Sequence, residues 1–82
     1  MKTKKLVKRL QELLDSEQRT QNRQIEALEK VVEKLERKEQ HFREKLSLAE
    51  SEEQRLKFGG KIAICQAQRE KGIAAIKELR ED

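Results

Sequence analysis

Residues 25–56, IEALEKVVEKLERKEQHFREKLSLAESEEQRL, carry the pattern that decides how this chain folds. Alternating steps of three and four pick out Ile25, Leu28, Val32, Leu35, Glu39, Phe42, Leu46, Ala49, Glu53 and Leu56. All but the two glutamates are apolar, and the residues between them are mostly charged or Gln. A period of 3.5 residues over about four heptads marks a helix that seats one face against another helix. Glu26–Lys30, Glu33–Arg37, Glu39–Arg43 and Glu53–Lys57 place acid before base at i,i+4. Each such pair adds about 0.2–0.5 kcal/mol to a helix.

On the carboxy-terminal side, Phe58-Gly59-Gly60 is the expected turn. Adjacent glycines are costly inside a helix and well suited to a C-cap. The pattern resumes over 61–81, where Ile62, Ile64, Cys65, Gly72, Ile73, Ala75, Ile76 and Leu79 share a broad sector. Long helix, Gly-Gly turn and returning helix read as an antiparallel αα-hairpin with coiled-coil-like packing. Folding about Gly59-Gly60 sets Leu46 against Ile73, Phe42 against Ile76, Glu39 near Arg80, and Glu53 near Gln66 or Arg69. Phe58-x-Gly60 distantly resembles the aromatic-x-Gly turn of the WXG family of secreted helical hairpins. That resemblance covers only two residues, lacks the Trp and the carboxy-terminal Tyr-x-x-x-acid signal, and implies export without a cleaved leader.

On the amino-terminal side, residues 1–24 form a basic amphipathic part. Leu6, Val7, Leu10, Leu13 and Leu14 fall on one side of a helical wheel, and Lys2, Lys4, Lys5, Lys8 and Arg9 on the other. Residues 15–24 (DSEQRTQNRQ) have no apolar side chain, yet no Gly or Pro breaks them. The preferred reading is one helix from Lys4 to Lys57. The alternative is a bend at 16–22 that folds residues 3–14 back on Ile25–Leu35.

Composition bounds the rest. The chain has 82 residues, 44% of them charged and 34% hydrophobic, with a mean hydropathy of -1.03. A chain this short and polar builds only a small core of its own. The longest apolar run, Ile62–Cys65, is far below the roughly 20 residues of a membrane span. Lys8 and Arg9 interrupt what a signal peptide needs as its apolar segment. One cysteine makes no intrachain disulfide, and a cytoplasmic protein is the expectation.

Catalytic raw material is scarce: one His, one Cys, and carboxylates engaged in helix charge pairs. His41 reads as a solvated surface residue and Cys65 as a small buried hydrophobe. Gly59-Gly60-Lys61 lacks the spacing of a phosphate loop. Gly72 reads as a place where another helix comes close. No catalytic, cofactor or metal residues are expected. The expected function is a non-enzymatic interaction protein: a scaffold, adaptor or chaperone-like subunit. It would self-associate through Ile25, Leu28, Val32, Leu35, Phe42 and Leu46, as a homodimer with a four-helix arrangement. A helical protein partner fits the same seam. The alternative function is nucleic-acid binding through Lys2, Lys4, Lys5, Lys8 and Arg9; a membrane surface suits these residues less well, since no Trp or Phe accompanies them.

Overall fold

The computed structural model describes residues 3–15 and 21–81, and it is all-α: α1 (Thr3–Asp15), α2 (Gln21–Ser47) and α3 (Glu52–Glu81). The single helix expected from Lys4 to Lys57 is therefore corrected at both ends. Residues 16–20 lie outside the described residues, but α1 packs back on α2, as the bent alternative required. Leu6, Leu10 and Leu13 join Leu28, Val31 and Leu35 in one buried cluster with Ile76 of α3. The Gln24 side-chain amide donates to the Leu13 carbonyl at 2.8 Å, satisfying a carbonyl in the last turn of α1. Burying a Leu is worth about 1.5–3 kcal/mol, far more than exposed helix pairs could return to an extended α1.

The second correction concerns the turn. Gly59 and Gly60 sit inside α3 and no glycine has a positive φ; the chain reverses over residues 48–51 instead. The expected turn at 58–60 and returning helix over 61–81 move accordingly, and Phe58-Gly59-Gly60 no longer supports the WXG resemblance. Two caps explain the reversal. At the end of α2, Leu48 N–H donates to Lys45 O and Ala49 N–H to Leu46 O, both at 3.2 Å. This tightened last turn occupies carbonyls that would otherwise be orphaned. At the start of α3, Ser51 Oγ accepts from Gln54 N–H and Gln54 Oε1 accepts from Glu50 N–H, each at 3.2 Å. Ser51-Glu52-Glu53-Gln54 is thus a capping box displaced by one residue on its return bond, with Glu52 and Glu53 at the positive end of the helix dipole.

Moving the turn moves the register. α3 carries its own heptad seam, Phe58, Ile62, Cys65, Arg69, Gly72, Ile76 and Leu79, at alternating steps of four and three. Glu39 of α2 meets Arg69 at 3.4 Å rather than Arg80, about three helical turns from the expected pairing. Arg80 pairs with Glu29 instead. Phe42 lies against Phe58, ring centroids 6.4 Å apart, rather than against Ile76. α1 runs beside α3 in the same direction: Gln11 accepts from Lys71 Nζ at 3.3 Å. At about 1.5 Å per residue α1 is roughly 20 Å long, while the molecule extends 47 Å. The third helix thus covers only part of the α2–α3 seam.

Candidate functional site

The six residues expected to drive self-association are turned inward within one chain. Leu28, Leu35 and Phe42 are buried, and Ile25, Val32 and Leu46 are partly buried against the same clusters. α1 and α3 cover the stripe that was expected to need a second copy. Sequence reasoning also missed Val31, which lies beside the heptad seam and packs into the cluster with α1. Its neighbour Val32 touches α3 at Gly72. A Cβ on Gly72 would come within 2.7 Å of Val32 Cγ2 and 3.3 Å of Leu10 Cδ1. The expected packing role of Gly72 is what the structure places there.

Besides Leu48 in the turn and Ile73, the exposed large apolar side chains belong to a strip on the outer side of α3. Leu56, Gly59, Gly60, Ala63, Ile64 and Ala67 share one helix face and carry no charge. Leu56 is 73% and Ile64 50% exposed. Nothing lies within 4 Å of a Cβ built on Gly59 or Gly60. α3 is therefore apolar on two faces, one toward α1 and α2, the other toward solvent. The wheel reading counted Ile64 and Ile73 with the inward sector; both are about half exposed and sit at the rims of grooves between helices rather than in the seam.

The basic residues are gathered more widely than the amino-terminal cluster suggested. Lys2 lies outside the described residues. Lys4, Lys5 and Lys8 are exposed, and Arg9 is partly buried and pairs with Glu12 at 3.7 Å. Between α1 and α2 runs a groove of ≈ 750 Å³ where Lys5, Lys8 and Arg9 meet Arg23, Lys30 and Lys34, with Glu12 and Glu26 as its acids. At the start of α1, where all three helices meet, a second groove of ≈ 690 Å³ is edged by Lys4, Lys38, His41 and Lys61. Its apolar lining is Val7, Phe42 and Ile64, and no carboxylate lines it among the described residues. Lys61 Nζ sits 5.1 Å from the Phe42 ring centroid, a cation–π contact that holds the ammonium over the floor. The signal for this second groove was absent from the sequence because its cations are contributed by three helices in a register read wrongly there.

Cys65 is fully buried against Phe42 and Ile62. Burial raises its thiol above the ordinary 9.0, with Glu39 adding to the rise; the Thr3 hydrogen bond, Lys38 and Lys61 oppose it. That is the setting of an inert structural thiol. His41 is exposed, its ring tilted against Phe42 at 5.6 Å. No group of three or more His, Cys, Asp or Glu suited to a metal occurs among the described residues. No described helix is long and apolar enough to cross a membrane. Comparison with protein-family models, curated proteins and solved structures returns no match.

Proposed function

We propose that this chain is a helix-binding interaction protein, an adaptor or scaffold subunit that associates with a second copy through the outer face of α3. The observation that carries this reading is the uncharged strip Leu56, Gly59, Gly60, Ala63, Ile64 and Ala67 in a chain that is 44% charged. Two glycines inside a helix cost about 1 kcal/mol each, and no contact within the chain offsets that cost at Gly59 or Gly60. Glycine and alanine on an exposed face let a second helix approach closely, while Leu56 and Ile64 at its flanks supply apolar area. Two chains meeting on this face with two-fold symmetry set α3 against its own copy, with α1 and α2 of each chain on the outside. The homodimer thus moves from the α2 stripe to α3. Light scattering across a concentration series is the test: mass should rise from one chain toward two. Leu56→Lys and Ala63→Glu should each remain monomeric with helical content intact. A wild-type mass fixed at one chain throughout would remove this reading.

A second reading, nucleic-acid binding, rests on the groove between α1 and α2, where six basic side chains outnumber two acids. Phosphate contacts of this kind weaken steeply with salt. Retention on heparin that is lost when Lys8 and Arg9 are changed to Glu would support it, and elution unchanged by that double substitution would remove it.

A further inference from the structure

The seam between α2 and α3 opens where α1 begins, and its lining there differs from the rest of the molecule. Thr3, at the start of α1, lines this opening together with Phe42 of α2 and Ile64 of α3. Beyond that level Leu46 and Phe58 stay only partly buried, with no third helix over them. The groove at this junction has an apolar floor and four basic side chains at its edge, contributed by all three helices. Lys4 and Lys5 also stand in the first turn of α1, where the helix dipole favours anions and disfavours cations. A carboxylate held beside these ammonium groups would offset that conflict.

We infer that this groove takes an acidic amphipathic helix from a partner protein, with one or two apolar side chains on Val7 and Ile64 and carboxylates at Lys4, Lys38 and Lys61. Charge complementarity selects the acidic partner. A helix fits because the groove continues the seam that α1 itself fills with Leu6, Leu10 and Leu13. Nucleic acid is a poorer match: the one aromatic ring on the floor, Phe42, is 7% exposed and leaves no face for a base to stack on. Ile64 borders both this groove and the outer face of α3, whereas Leu56 lies on the outer face alone and tells the two surfaces apart.

The test is fluorescence anisotropy of the full chain with a labelled Leu/Glu peptide about four helical turns long, its apolar residues at i, i+3, i+4 and i+7. Three controls run beside it: the Leu/Lys counterpart, a shuffled peptide of the same composition, and oligothymidylate. The Leu/Glu peptide should bind, and the three controls should bind at least about tenfold more weakly. Lys38→Glu with Lys61→Glu should weaken binding about tenfold, and Lys38→Arg with Lys61→Arg should retain it, circular dichroism showing the same helicity throughout. Leu56→Lys should bind the peptide as wild type does. Equal binding of the shuffled peptide or tighter binding of oligothymidylate would overturn the inference. So would indifference to the charge reversal. Loss of peptide binding in Leu56→Lys would place the partner on the outer face of α3 and overturn it as well.

Discussion

At the scale of single residues, three glycines on one helix have opposite consequences. Gly72 is the point where α3 touches both other helices, and the β-branched Val32 beside it has little rotamer freedom in a helix. Gly72→Ala should cost about 1–2 kcal/mol despite its better helix propensity, because the helices must part. At Gly59 and Gly60 an added methyl meets nothing, and the backbone is already helical. Each Gly→Ala there should gain roughly 0.5–1 kcal/mol in dilute solution, while weakening self-association by holding a second helix further away. Urea melts at low concentration, beside light scattering at high concentration, read the two effects separately. Were the turn at these glycines, the same substitutions would destabilise. Cys65 gives a second residue-scale expectation. Its raised thiol keeps its proton in the folded state above the ordinary 9.0, whereas the unfolded chain releases it. Stability should be flat with respect to this group below about pH 9 and fall above it, since there the folded state binds more protons. Thiol-reagent kinetics should be slow in the native protein and rise on unfolding; fast native labelling would contradict the burial.

Among the elements, what could be read in the sequence and what could not divides at residues 48–56. Helix type, the apolar side of α1, the close approach at Gly72 and the burial of Cys65 all follow from local periodicity. The turn does not, because two signals compete. Leu46, Ala49, Glu53 and Leu56 continue the heptad phase without a break, and Gly59-Gly60 is the strongest punctuation in the chain. The weaker-looking Ser51-x-x-Gln54 cap prevails because it lets the seam of α3 begin at Phe58 and run through Gly72 against Val32. Charge then locks the register. Each seam has one charged position, Glu39 in α2 and Arg69 in α3, and the two meet. Glu39 is 8% exposed and also accepts from Arg43 Nε at 3.2 Å, so its carboxylate is well supplied with donors. Ser51→Ala should lower the melting midpoint by the cost of a lost N-cap, about 1 kcal/mol. In double-mutant cycles, Glu39→Gln with Arg69→Gln should couple by about 1 kcal/mol, and Glu39→Gln with Arg80→Gln by nothing measurable. Coupling to Arg80 instead would restore the glycine-centred register.

For the whole molecule, the decisive question is which apolar surface is satisfied within one chain and which needs another. Leu6, Leu10, Leu13, Leu28 and Leu35 are each at most 1% exposed in a single copy. Their burial requires no partner. A chain of this size has only about 5–10 kcal/mol of stability to lose, and removing one fully buried Leu costs about 2–5 kcal/mol. Leu10→Ala should therefore unfold α1 from the bundle and lower the melting midpoint at every protein concentration. Leu56→Lys removes nothing from that core, because Leu56 is exposed and lies beyond the reach of α1. It should leave helicity and the dilute-solution midpoint within about 0.5 kcal/mol of wild type. What it should abolish is the rise of midpoint with concentration that linkage to a dimer imposes. The two substitutions thus separate folding from assembly. A dimer built on the α2 stripe predicts the reverse: Leu28→Lys would give a folded monomer, and Leu56→Lys would still dimerise. Circular dichroism melts of Leu10→Ala, Leu28→Lys and Leu56→Lys over a hundredfold range of concentration distinguish the two arrangements. If Leu28→Lys yields a cooperative, fully helical monomer, the intramolecular core described above is wrong. A collapse of helicity in Leu28→Lys, beside a folded and concentration-independent Leu56→Lys, places the core inside the chain and the assembly face on α3.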